Sequence, residues 1–246
     1  MRNRAAAPAL LKVDRLSRSF GSLKVVDGVS FEVADGEALG IIGPNGAGKS
    51  TLFNLIAGTL PPDAGRIEFL GRDVTRAPAQ ARCRAGIARS HQIPAPFDNL
   101  TVFENLLVAA THGRGKRERD VVEACGDILE LTGLLPLADR PGRSLTLLER
   151  KRLEMARALA TGPRLLLLDE IAGGLTEAEC GELIATIRAL RRSGLTIVWI
   201  EHIVQALLAV ADRLLVLDFG KTIAQGEPRA VMNSPQVREI YLGIEA

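Results

Sequence analysis

The alternation of apolar and polar positions changes period along this chain, and each change marks an element. Ala38-Leu39-Gly40-Ile41-Ile42 is a short unbroken apolar run, the pattern of a strand buried on both faces. Downstream, Leu52, Leu55 and Ile56 recur at helical spacing, and Gly58 predicts where that helix stops. Between about Leu11 and Phe69 short β-type runs dominate, at 29–33 and 66–70 among others. The turn signals Asp35-Gly36 and Pro61-Pro62-Asp63 punctuate them. The pattern then turns helical over 102–110 and 121–135, with a charged loop at 114–120 between, and again over 149–160. An apolar strand at 165–168, a further helix and a strand at 195–200 follow. Continuous apolar strands separated by helices predict an α/β fold with a parallel sheet covered on both faces, interrupted by a helical insert. Residues 1–9 read as a loose tail.

The bulk properties narrow this only a little. The chain has 246 residues, 47% of them hydrophobic, enough for a sizeable core. Its longest stretch without a charged residue, Ser50 to Pro62, is too short to cross a bilayer. Arg2 and Arg4 precede an Ala-rich segment with no apolar core behind it, so no secretory signal is expected. The expectation is a cytosolic chain that meets a membrane only through a partner. Cys83, Cys125 and Cys180 are widely spaced and read as reduced structural thiols. A net charge of +2 argues neither for nor against nucleic acid. Arg150-Lys151-Arg152 reads as a solvated helix face, because no aromatic stacking residues accompany it.

Chemistry enters with Gly43-Pro44-Asn45-Gly46-Ala47-Gly48-Lys49-Ser50-Thr51, which fits G-x-x-x-x-G-K-[ST] between the predicted strand and helix. Such a loop presents backbone N–H groups and the positive end of a helix to one phosphate cluster. Lys49 adds a cation for the β- and γ-phosphates, and the Ser50 hydroxyl suits Mg²⁺. The apolar strand at 165–168 runs into Asp169-Glu170. Ligands of α/β sheets sit at the carboxyl ends of strands, so Asp169 suits the Mg²⁺ shell and Glu170 suits a base that polarises water. His202 follows the 195–200 strand in the same way, and by position alone a surface role fits it equally. Gln92 lies where the β-rich part meets the helical insert and by itself says nothing.

In that order, with a signature-like segment before a helix between Gln92 and Asp169, these residues resemble an ATP-binding subunit of the ABC transporters over nearly the whole chain. Local phrases resemble the branched-chain amino-acid importer subfamily. They are Gly86-Ile87-Ala88-Arg89-Ser90-His91-Gln92, Leu100-Thr101-Val102-Phe103-Glu104-Asn105-Leu106-Leu107, Arg152-Leu153-Glu154-Met155-Ala156-Arg157-Ala158-Leu159, Ile200-Glu201-His202 and Tyr241-Leu242-Gly243. The resemblance implies a P-loop NTPase fold of ABC type. A parallel-sheet core with an antiparallel β subdomain would span 10–92 and 162–246, and an inserted helical subdomain 93–161. It implies ATP and Mg²⁺ as cofactors. Phe20 would stack on adenine, and Asn45, Gly46, Gly48, Lys49, Ser50 and Thr51 would cradle the phosphates. Ser50, Gln92 and Asp169 would hold Mg²⁺, Glu170 would be the general base, and His202 would hold the γ-phosphate. Gln92 would also contact the attacking water and report nucleotide state. The implied partners are a second ATPase subunit, alike or different, transmembrane permease subunits and, indirectly, a periplasmic solute-binding protein, with no nucleic acid. The implied location is the inner face of the cell membrane.

The family's signature, Leu-Ser-Gly-Gly-Gln, appears here as Leu145-Thr146-Leu147-Leu148-Glu149. Thr146 keeps a hydroxyl that could reach nucleotide, but two leucines stand where glycines let backbone approach a ligand. They would crowd the phosphate or swing away, leaving the helix from Arg150 onward to aim its positive end at the anion. Thr176 stands where an Asp is common, and Ile171 where a Pro follows the catalytic Glu. Cargo stays open: branched-chain amino acids or a related small polar solute, with lipopolysaccharide export and urea or amide uptake as alternatives. A non-transport ABC ATPase is a further alternative, although a single phosphate loop and a short insert speak against repair and translation types.

Overall fold

The computed structural model describes residues 9–242. Residues 1–8 of the expected tail and Gly243 of the C-terminal phrase lie outside the described residues. In chain order the strands and helices are β1 Ala9–Phe20, β2 Leu23–Ala34, β3 Ala38–Ile42, α1 Lys49–Ala57, β4 Ala64–Phe69, β5 Arg72–Asp73, α2 Ala79–Ala85 and β6 Ile87–Arg89. Then come α3 Val102–Arg114, α4 Val122–Leu131, α5 Leu147–Ala160, β7 Leu165–Asp169, α6 Glu177–Arg192 and β8 Thr196–Ile200. The last are α7 Val204–Leu208, β9 Arg213–Asp218, β10 Lys221–Gly226, α8 Pro228–Met232 and α9 Pro235–Leu242. The chain packs as two compact units: one runs to Ala79 and resumes at Thr196, the other spans Gln80–Leu195.

The first unit holds two sheets. In the antiparallel one, the order is β2-β1-β4-β5. Val26, Val29, Phe31 and Val33 of β2 are buried, and the alternation over 29–33 gives the strand one apolar face. Val13 of β1 pairs with Phe31 on one side and Ile67 on the other. In the second sheet β3 lies between β8 and β9, parallel to both, and β10 returns antiparallel along β9. Every residue of β3 and β8 is buried, as an unbroken apolar run requires. Leu52, Phe53, Leu55 and Ile56 of α1 are buried, and Gly58 ends the helix at φ 79°. The Asp27 N–H donates to the Gly220 carbonyl at 2.8 Å and ties the antiparallel strands to the β9–β10 turn. The strand expected over 66–70 stops at Phe69, because Leu70 (φ 52°) and Gly71 (φ 73°) make a two-residue turn into β5.

In the second unit β6 and β7 pair in parallel, with Arg89 opposite Leu167. The helical lobe expected over 93–161 lies within this unit, together with α2, β6, β7 and α6. Val102, Leu106, Cys125, Leu129, Leu145, Leu153 and Ala156 form its core. The helix expected to reach 135 stops at Leu131. Gly133 takes φ 70°, the Leu134 N–H reaches back to the Leu129 carbonyl at 2.7 Å, and the Gly133 N–H to that of Glu130. That is a six-to-one C-cap needing left-handed backbone at the glycine. The helix expected from 149 begins two residues earlier, at Leu147, because Thr146 caps it.

Candidate functional site

In the first unit the glycine loop runs from the end of β3 to the start of α1. Gly48 is the N-cap residue, at φ 97°, and a Cβ there would run into the Val25 carbonyl. Only glycine combines that backbone with that approach. As a result α1 has no side-chain cap and no acidic residue in its first turn. The positive end of such a helix suits an anion. Lys49 is 5% exposed, and its Nζ donates to the carbonyls of Gly43 (2.7 Å) and Pro44 (3.0 Å). Asn45, Gly46 and Ser50 are exposed and Thr51 is half-buried.

Ile200 pairs with Ile41, so His202 emerges from the strand beside the one that feeds the glycine loop. It is exposed, and its backbone is fixed by Glu201, whose buried Oε1 accepts the N–H of His202 (2.9 Å) and of Ile203 (3.4 Å). Phe20 is half exposed at the end of β1, opposite Leu23. The Arg18 guanidinium lies 5.2 Å from its ring centroid and is itself anchored on Asp63 at 2.7 Å. Val25, two residues beyond Leu23, is the residue whose carbonyl abuts Gly48, so the aromatic sits on the hairpin that borders the loop.

In the second unit Asp169 ends β7, only 4% exposed, and Glu170 follows at φ 46°. A non-glycine residue in left-handed backbone is strained, and such strain gathers at working sites. The Gln92 Nε2 donates to Glu170 Oε2 at 2.5 Å, so the structure brings these two together although 77 residues separate them in sequence. Arg89 Nη2 donates to Asp169 Oδ2 at 2.6 Å, whereas Asp169 Oδ1 is buried with no hydrogen-bond partner. The segment after Gln92 is pinned to the helices. Buried Asn105 accepts the Phe97 N–H at 2.8 Å and donates to the Phe97 carbonyl at 3.1 Å. Arg157 donates to the Ala95 carbonyl at 2.8 Å and lies over the Phe97 ring.

Thr146 is exposed, and its groups are turned on its own helix. Its hydroxyl accepts the Glu149 N–H at 3.4 Å, and its N–H donates to Glu149 Oε2 at 2.7 Å. The helix start expected to aim freely at an anion therefore already carries a carboxylate. Leu148 turns inward, 8% exposed. Leu147 stays at the surface, 45% exposed, with Cδ2 only 3.3 Å from where a Cβ on Gly174 would stand. Thr176 caps α6 in the same manner with Glu179, whose carboxyl is held below its usual range by the Thr176 backbone N–H and then by its hydroxyl.

Two contacts had no signal in the sequence: Arg89 meets Asp169 only through strand pairing, and Glu201 accepts the N–H groups of the two residues that follow it. For Mg²⁺ the second unit offers a buried Asp169 oxygen without a hydrogen-bond partner, and the first offers the exposed Ser50 of the loop. Among the described residues no cluster of three or more His, Cys, Asp or Glu could hold a metal by itself. That suits a cation bound through one or two protein oxygens plus substrate phosphates.

A buried parallel strand, a glycine loop and an uncapped helix start define a phosphate-binding fold of the P-loop type. Residues 26–173 match the family model described as ABC transporter. Residues 221–246 match that described as branched-chain amino acid ATP-binding cassette transporter. The chain is 34% identical to the high-affinity branched-chain amino acid transport ATP-binding protein BraF of Pseudomonas aeruginosa, over 95% of this chain and 98% of the relative. It is 35% identical to the lipopolysaccharide export system ATP-binding protein LptB of Haemophilus influenzae, over 96% and 98%. The ADP conformation of MJ1267, an ATP-binding cassette of an ABC transporter, superposes with a TM-score of 0.88 at 34% identity, covering 96% of this chain and 99% of that one. The chain belongs to the ABC transporter family, as the ATP-binding, ATPase subunit of such a transporter. Among the described residues no helix is long and apolar enough to cross a membrane.

Proposed function

We propose that this subunit powers uptake of branched-chain amino acids, or of a related small polar solute, from the inner face of the cell membrane. Support for the cargo comes from the C-terminal match over 221–246. The lipopolysaccharide export relatives are equally similar overall, which keeps export as the second reading. In the proposed complex a second ATPase subunit pairs with this one on transmembrane permease subunits, fed by a periplasmic solute-binding protein. No nucleic acid takes part.

Mg²⁺, held by Ser50, Asp169 and Gln92, would neutralise charge on the transferring phosphoryl group. The chain's own groups do the rest. Asn45, Gly46, Gly48, Lys49, Ser50 and Thr51 orient the phosphates, Phe20 stacks on the base, and His202 donates to the γ-phosphate. Glu170 accepts the proton of the attacking water, and Gln92, already bonded to Glu170, orients that water. Positioning and charge neutralisation carry most of such a reaction.

The observation that carries the reading is the uncapped, acid-free start of α1 behind Gly48. Lys49→Ala removes the loop's cation. A lost charged hydrogen bond of about 1.5–3 kcal/mol weakens ATP binding about 10- to 150-fold. Calorimetry on the purified chain measures it, and an unchanged affinity overturns the role of Lys49.

The signature of this chain is the weak half of the pair. Thr146 is engaged by Glu149, a carboxylate sits at the helix start, and Leu147 projects at the surface. Each composite site takes its phosphate loop from one subunit and its signature from the other. The site containing Glu170 would therefore hydrolyse ATP, and the reciprocal site, completed by Leu147-Leu148, would hydrolyse slowly. Changing Glu170 here and its counterpart in the partner separates the two.

A further inference from the structure

We propose that Arg89 is a positioning residue for the nucleotide's metal, holding Asp169 by one carboxylate oxygen and leaving the other for the cation. This rests on the nucleotide reading above and extends it to a residue outside the phosphate loop.

Strand pairing creates the contact. Arg89 of β6 stands opposite Leu167 of β7, and Asp169, two residues on, shares the face of Leu167. The pair is thus a diagonal one, bridged by the long arginine side chain. Both side chains are well buried, 13% and 5% exposed. A carboxylate so placed is costly without a counter-charge, and Arg89 supplies it. The geometry is one-sided. A guanidinium serving only to neutralise an acid gains most from two parallel hydrogen bonds. Here Nη2 engages Oδ2 alone, and buried Oδ1 has no partner. A buried acceptor left unbonded lowers stability unless something else bonds to it. The incoming species, Mg²⁺ with ATP, is negative overall, so the fixed positive charge of Arg89 does not oppose it.

The test uses the full chain and a non-hydrolysable ATP analogue, with binding followed calorimetrically across a Mg²⁺ titration. Arg89→Met keeps length and removes charge. The half-saturating Mg²⁺ concentration is expected to rise about tenfold, the scale on which groups behind a metal ligand act. Binding of the analogue without Mg²⁺ should stay unchanged, and Arg89→Lys should give a smaller rise, about threefold. In an Asp169→Asn background, Arg89→Met should add no further shift. A folded Arg89→Met with unchanged or tighter Mg²⁺ dependence overturns the proposal, as does a full additional shift in the Asp169→Asn background. If Arg89→Met fails to fold, Arg89→Lys decides, and an unaltered Mg²⁺ dependence there overturns it. A wild-type chain that binds no analogue overturns the nucleotide reading as well; wild-type binding with an indifferent Arg89→Met overturns this inference alone.

Discussion

Gly48 has no side chain, yet it sets the chemistry of the phosphate loop. Its left-handed backbone turns the chain into α1, and its missing Cβ admits the Val25 carbonyl. Gly48→Ala forces strained backbone and a collision together. The left-handed conformation alone costs an L residue about 1–2 kcal/mol. Thermal unfolding should show at least that loss, and ATP affinity should fall with it; a variant as stable and as avid as wild type would contradict this account of the loop. The loop, Asp169-Glu170 and the strand before each were legible because their chemistry is local, spelled in consecutive residues. The Arg89–Asp169 pair was not, since it exists only once β6 lies in register with β7. The strain at Glu170 and its bond to Gln92 were hidden for the same reason.

At the scale of elements, one device recurs. Thr101 with Glu104, Thr146 with Glu149 and Thr176 with Glu179 each form a reciprocal cap at the start of α3, α5 and α6. The middle box gives Leu145-Thr146-Leu147-Leu148-Glu149 a physical role: the segment is built to start a helix and offers its hydroxyl and N–H to Glu149. The spacing was readable in the sequence, but apolar periodicity alone set the helix start at 149. Periodicity fades at helix ends, where caps decide. The same weakness carried α4 past its Gly133 cap to 135. Thr146→Ala should lower stability by about 1 kcal/mol. Chemical denaturation should show a reduced midpoint with an unchanged slope, and an unmoved midpoint would mean that the box contributes nothing.

For the whole molecule, a parallel sheet and a helical insert between two β-rich parts followed from the alternation of apolar runs and amphipathic stretches; the order of strands within each sheet did not. The antiparallel strands needed the family resemblance, because short β runs do not declare their partners. The proposed inequality between paired sites would be a property of the assembly; what this chain contributes to it is an α1 start without a side-chain cap and an α5 start capped by Thr146 and Glu149. The most direct measurement is ATP turnover by the reconstituted ATPase pair with its permease, after Glu170→Gln in this chain and after the matching change in the partner. Turnover should collapse in the first case and fall only modestly in the second. Turnover untouched by Glu170→Gln in a folded, nucleotide-binding complex would contradict it.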